Sequence, residues 1–187
     1  MITIRQERPA DTRAREALLD LCFGQGRFDK TSERLREGRL PADDLSFVAV
    51  EHGRVIGTVR LWNISTAAAR PALLLGPLAV APDRRRRGVG ASLMRRARSD
   101  ARRRGHRALI LVGDAPYYGR FGFTAAKTSL LELPGPYDAA RLLALELVPG
   151  GLDGARGLIR ATGQLVPKLD SCAAAQVSQS NIISLAA

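Results

Sequence analysis

From residue 72 to 104 the chain reads ALLLGPLAVAPDRRRRGVGASLMRRARSDARRR, and this stretch constrains the fold more than any other. Its first part is apolar and reads as a buried strand. Its last part, from Gly88 to Arg104, places Gly90, Leu93, Met94, Ala97 and Ala101 on one face at helical spacing, with Arg95, Arg98 and Arg102 elsewhere. Gly105 stops that helix. The strand must turn into the helix within a few residues, and Gly88 and Gly90 stand at the turn. A strand–loop–helix unit needs a sheet on which the helix can lie, so the fold is a layered one containing both elements. Gly76-Pro77, inside the strand, should interrupt regular pairing as a bulge or a splayed edge does.

The remaining sequence supplies the rest of the sheet. ITIRQ alternates like a short strand. DTRAREALLDLCF reads as an amphipathic helix with Ala14, Ala17, Leu18, Leu21 and Cys22 on one face, and TSERLREG as a second short helix ended by Gly38. LSFVAVE and RVIGTVRLW flank His52-Gly53, a hairpin signal. HRALILVG is a buried strand, APYYGRF a short helix, GFTAA another strand start and AARLLALELVPG a last strand. The order is strand, two helices, three strands, helix, strand, helix, strand: a mixed α/β layer around a central sheet. After about residue 164 the chain becomes small, polar and weakly patterned. Residues 1–163 are expected to form one domain, with 164–187 as a tail, mobile or packed on the outside.

Charge and cysteine content narrow the function classes. The formal net charge is +11. Residues 84–107 contain eleven arginines and Asp100, which makes 11 − 1 = +10, so the excess is local and should attract anions. Cys22 and Cys172 are far apart and belong to no Cys/His cluster, and His52 and His106 are isolated, so no metal site is expected. No apolar run is long enough to span a membrane and the N-terminus lacks a secretory pattern, so a cytoplasmic protein is expected.

The loop itself carries chemistry. A helix N-terminus leaves its first N–H groups unpaired and bears partial positive charge. Small residues there let a phosphate approach. A Walker loop is absent, and Gly88-Val89-Gly90-Ala91-Ser92-Leu93 lacks the third glycine of a dinucleotide fingerprint, which disfavours ATP and NAD.

Arg85-Arg86-Arg87-Gly88-Val89-Gly90 resembles the R/Q-x-x-G-x-G/A loop of the GNAT acyltransferase superfamily. LGPLAVAPDRRRRGVGASLM, Leu75 to Met94, looks like that family's splayed strand, loop and helix. GDAPYYGRFGF, Gly113 to Phe123, resembles its Y-x-x-x-G-F motif, with Tyr118, Gly122 and Phe123 in place. The subgroup most similar is a bacterial set of predicted N-acetyltransferases. The resemblance implies a mixed, mostly antiparallel central sheet splayed between two strands and flanked by helices. It implies acetyl-coenzyme A (acetyl-CoA) as co-substrate. Backbone N–H groups from Arg86 to Ala91 would carry the pyrophosphate, with Arg85, Arg86, Arg87, Gly88, Val89, Gly90 and Ala91 forming the loop. The pantetheine arm would pair along Leu78, Ala79 and Val80. Tyr118 would be the general acid, and transfer would be direct to an amine on a small molecule or peptide. A homodimer is implied as an assembly to test.

Three other residues invite a general-base role. Glu51 ends the first central strand, Asp114 stands where a helix N-cap is expected, and His52 lies in a tight turn. Other functions stay open at this point: an arginine-rich nucleic-acid-binding protein, or a member that binds acyl-CoA without catalysis. The absence of a recognition module argues against nucleic acid as the partner, and that function leaves Gly88, Gly90 and YYGRFGF unexplained.

Overall fold

A computed structural model of the chain describes residues 1–167. Nine strands are described: β1 (Ile2–Gln6), β2 (Ser46–Glu51), β3 (Arg54–Ser65), β4 (Pro71–Val80), β5 (Ala108–Val112), β6 (Leu131–Glu132), β7 (Leu142–Glu146), β8 (Gly157–Leu158) and β9 (Arg160–Ala161). They are accompanied by α1 (Thr12–Phe23), α2 (Val89–Arg103) and α3 (Ala115–Gly119). The main sheet runs β1-β2-β3-β4-β5-β7, with β9 also on β3; β6 and β8 pair apart from it. All its pairings are antiparallel except β4 with β5. This is the mixed, mostly antiparallel sheet that the sequence led us to expect.

The parallel junction is short. β4 meets β5 only at Leu73↔Leu109 and Leu74↔Ile110, and beyond Leu74 the two strands part. On its other side β4 stays paired with β3 as far as Gly57↔Val80, with a register shift between Val59 and Leu61 opposite Gly76-Pro77. That peptide bond is cis, and Trp62 Nε1 donates to Gly76 O at 2.6 Å. The interruption expected at Gly76-Pro77 is therefore present, and the splay opens at the same point. In the β2–β3 hairpin His52 and Gly53 both have positive φ, 48° and 77°, the geometry that a two-residue turn of matching twist requires.

Helix α2 buries Leu93, Met94, Ala97 and Ala101 of the stripe its spacing predicts, leaves Gly90 half-buried, and buries Val89 in addition. It also buries Asp100, which Arg96 (2.9 Å) and Arg103 (3.1 Å) neutralise. Helix α1 corrects its expected face. Ala14, Ala17 and Leu21 are exposed, and the buried positions are Arg15, Leu18 and Leu19. The reason is electrostatic: Arg15 pairs with the equally buried Glu7 and with Glu16, so a charged residue occupies a core position that apolar counting rejects.

Three other expectations are corrected. TSERLREG forms a short 3-10 turn, Thr31–Leu35, without side-chain capping. It is held by contacts distant in sequence, Thr31 Oγ1 to Pro136 O and Arg34 to Pro134 O, rather than by helical period. GFTAA contributes one isolated bridge, Thr124↔Ala144, instead of a strand. The short strands β6, β8 and β9 carry too few residues for any periodicity to announce them. Gln164 to Val166 are tied to the segment at Gly38–Leu40 by Leu40 N–H to Gln164 O (2.8 Å) and Val166 N–H to Gly38 O (2.9 Å). The remainder of the expected tail, from Lys168, and Cys172 with it, lie outside the described residues.

Candidate active site

The gap between β4 and β5 is a cleft of about 620 Å³ lined by Leu74 to Leu78 on one wall and Val112, Gly113 and Asp114 on the other. A second cavity of about 470 Å³ adjoins it, bounded by Leu78, Val80, Arg84 to Arg86 and Gly88 to Ala91. Leu78, Arg85, Tyr117 and Tyr118 line both, so the two are one continuous groove running from the N-terminus of α2 into the sheet.

The loop after β4 begins with a 3-10 turn, Pro82–Arg84. Arg86 and Gly88 both take positive φ, 63° and 75°, and Gly88 is the N-cap of α2. Only the first of these costs conformational energy, since glycine adopts that region freely. Ser92 N–H bonds back to Gly88 O at 2.9 Å. Among the described residues, no protein acceptor takes the N–H groups of Gly88, Val89, Gly90 or Ala91. Four donors at the positive end of a fifteen-residue helix thus border an open cavity. Gly90 is needed here for space: a Cβ would lie 2.8 Å from Tyr117 Oη and 3.5 Å from Val80 Cγ2.

The four consecutive arginines divide. Arg84, Arg85 and Arg86 line the cavity. Arg84 donates to Glu51 at 2.6 Å, and Arg87 turns away from the cavity toward the same carboxylate at 3.6 Å. The hydrogen bond from Arg84 and the neighbouring charges hold the Glu51 carboxyl below its usual range. Glu51 therefore fastens the loop to the end of β2, and a carboxylate so paired is a poor base. The Ala79 side chain is buried in the core, while Leu78 and Val80 on either side face the groove, as alternation along a strand requires. Val80 O accepts from the Cys22 thiol at 3.4 Å.

Tyr118 stands on α3 at the meeting of the two cavities. Its ring packs edge-on to Tyr117 (4.9 Å between centroids) and to Phe123 (6.0 Å), and it lies so close over Gly113 that a Cβ there would overlap it. Burial pushes the phenol up to about 12, with Tyr117 adding to the effect and Arg141 opposing it. The group is protonated throughout the physiological range. Asp114 occupies the N-cap position, and its carbonyl accepts from Tyr117 and Tyr118 N–H, both at 3.0 Å. Its carboxylate makes no capping bond and lies exposed at the cleft, so the capping role expected for that side chain is not realised. His52 is exposed in the hairpin turn and lines neither cavity. No cluster of metal-ligating side chains occurs among the described residues.

Sequence reasoning singled out no residue at the far end of the cleft. Phe23, Arg27, Lys30, Ser32, Glu33, Arg36 and Arg141 line it. They come from the end of α1 and the 3-10 turns that follow it, and from the 3-10 turn before β7 more than a hundred residues away, and no local motif marks them.

Comparison with known proteins decides the family. The model of the acetyltransferase (GNAT) family matches residues 13–123. The chain belongs to the GNAT acetyltransferase family. The uncharacterized N-acetyltransferase YhbS of Escherichia coli K12 is 28% identical over 158 residues, 83% of this chain and 93% of that protein. The crystal structure of E. coli YhbS in complex with CoA superposes with a TM-score of 0.74 at 28% identity, covering 86% of this chain and 89% of that one. A GNAT family acetyltransferase from Brucella melitensis, in complex with acetyl-CoA, gives a TM-score of 0.66 at 26% identity over 87% of this chain and 96% of the other. Among the described residues, no helix is long and apolar enough to cross a membrane.

Proposed function

We propose that this GNAT member transfers the acetyl group of acetyl-CoA directly to an amine. The observation that carries the reading is the continuous groove. It joins four unpaired N–H groups at the start of α2 to a gap in the sheet, with a protonated tyrosine where the two meet. The N–H groups of Gly88 to Ala91 would bind the pyrophosphate, with Arg84, Arg85 and Arg86 adding attraction. The exposed edge of β4 at Leu78 and Val80 would take the pantetheine arm as an added strand. The side chains of Arg87 and Ala79 serve loop anchoring and the core, so these two residues would reach the cofactor only through their backbone.

In the reaction the acceptor nitrogen attacks the thioester carbon. A C–N bond forms, the C–S bond breaks, and one proton of the amine ends on the sulfur of CoA. The amine must be neutral to attack, and its surplus proton leaves through the open mouth of the cleft. Tyr118 donates its phenolic hydrogen to the departing thiolate and is reprotonated by the proton that the nitrogen loses as the amide forms, so the net transfer is from amine to sulfur. The burial that raises the phenol also desolvates the thiolate and makes it more basic, so the donor and the acceptor of this proton stay matched. A reading in which the chain binds acyl-CoA without turnover makes the same use of the loop and none of Tyr118.

Titration calorimetry with acetyl-CoA tests the loop, and release of CoA thiol in the presence of amines tests the chemistry. The native protein should bind acetyl-CoA saturably. Gly90→Trp should lower that affinity by about a hundredfold or more, because the indole fills the space a phosphate needs. Absence of binding by the folded native protein would refute the proposal.

A further inference from the structure

The far end of the cleft has a distinctive charge ledger. Its two walls are the 3-10 turns from Gln25 to Leu35 and the loop that leads into β7, fastened to each other by Thr31 and Arg34 on the carbonyls of Pro136 and Pro134. Arg27 is neutralised by Glu16 and Asp20, and Arg36 by Glu33 at 3.0 Å. Lys30 and Arg141 remain. Among the described residues, neither has a carboxylate within salt-bridge distance, yet both line the cleft, one on each wall. The Lys30 ammonium lies 4.6 Å from the centre of the Phe23 ring, and burial lowers its pKa, helped by the like charges of Arg36 and Arg141. Three cations thus face a cleft lined by two carboxylates: Glu33, already engaged by Arg36, and Asp114, which is within salt-bridge distance of neither Lys30 nor Arg141. Arg36 is buried, whereas Lys30 and Arg141 are exposed to the open cleft without a carboxylate partner among the described residues, and unpaired cations on facing walls of one cavity draw an anion into it.

The phosphates of CoA do not supply that anion under the function proposed above, on which this inference rests. They lie at the α2 end, and neither Lys30 nor Arg141 borders that cavity. Arg141 does act electrostatically on Tyr118, so the anion-binding end is close to the reacting centre. The space shared with the pantetheine arm suits a small acceptor. We infer that Lys30 and Arg141 are specificity-determining residues that bind an anionic group, a carboxylate or a phosphate, carried by a small amine acceptor a few bonds from its nucleophilic nitrogen.

The test is calorimetric binding of matched amines to the CoA-loaded protein, followed by CoA release from acetyl-CoA with the same amines. One arm compares β-alanine and γ-aminobutyrate with their amides, and a second compares O-phosphoethanolamine with ethanolamine. The better arm identifies the anion as carboxylate or phosphate. Binding should favour the anionic member of at least one arm by about tenfold or more. Lys30→Met and Arg141→Gln should each remove the preference by raising the KM for acceptor, while acetyl-CoA affinity stays within about twofold, and Lys30→Arg should restore it. Equal binding of charged and neutral members, or a preference that survives both substitutions, would overturn the inference while turnover with the neutral amines leaves the acyltransferase reading standing. Binding of an acidic peptide amine alone would overturn the small-acceptor assignment. Failure of the native protein to bind CoA at all would remove both.

Discussion

The two ends of the groove are built in opposite ways. The end at α2 is local: β4, the loop and the first turn of the helix lie within about twenty consecutive residues, and its chemistry comes from backbone N–H groups. The acceptor end is assembled from segments near Lys30 and Arg141, and its chemistry comes from side chains. Backbone donors are insensitive to side-chain identity except where bulk intrudes, so under the proposed function the first end would recognise a feature common to every CoA ester. Side chains on separate loops change independently, so the second end would set which amine is used.

Substitutions sharpen that contrast, and the largest effect is expected at the junction. Tyr118→Phe should lower kcat by about 10²- to 10⁴-fold, the usual range for a lost acid–base group, with acetyl-CoA affinity nearly unchanged. Steady-state kinetics beside calorimetry would check this, and an unchanged kcat would remove the tyrosine from the chemistry. Gly113→Ala comes next. Its methyl group would displace the Tyr118 ring, and a misplaced donor should cost about tenfold to a hundredfold in kcat while the loop still binds cofactor.

Smaller still is Glu51→Gln, which releases Arg84 and Arg87 from the end of β2. The KM for acetyl-CoA should rise roughly threefold to tenfold with acceptor KM constant, since only the loop is loosened. The least effect on catalysis is expected from Arg5→Gln. Arg5 holds the Asp11 carboxyl down to about 2, from its ordinary value near 4, far from either end of the groove. Because the folded value is the lower one, this contribution to stability is complete above about pH 4 and is lost as pH falls toward 2. The variant should unfold at a higher pH in an acid titration followed by circular dichroism, with both KM values unaltered.

The same contrast explains what was legible in the sequence. Gly88, Gly90, Gly76-Pro77 and the period of α2 announce the loop, the splay and the helix, because each is a short-range requirement of backbone geometry. Tyr118 was legible through its spacing to Gly122 and Phe123. The face of α1 was misread because Arg15 is buried by a partner, Glu7, that lies outside the helix and contradicts apolar counting. The side-chain directions of Arg87 and Ala79 were not legible, since a turn of the loop and the alternation of a strand set them. Lys30 and Arg141 had no local mark at all. The arginine run marks residues 84–87, while the two cations left unpaired at the far end of the cleft are single residues 111 positions apart (141 − 30).

The brief meeting of β4 and β5 has a consequence of its own. The backbone ladder that unites a sheet is interrupted after Leu74, so hydrogen bonding alone joins the β1–β4 half to the β5–β7 half over two residue pairs. A ligand lying in that gap becomes a missing rung shared by both halves. Its binding energy then counts toward folding: a hundredfold excess of free ligand over Kd adds about 2.7 kcal/mol to stability. The protein's resistance to heat and proteolysis would follow the concentration of its acyl donor, making durability in the cell a function of cofactor supply.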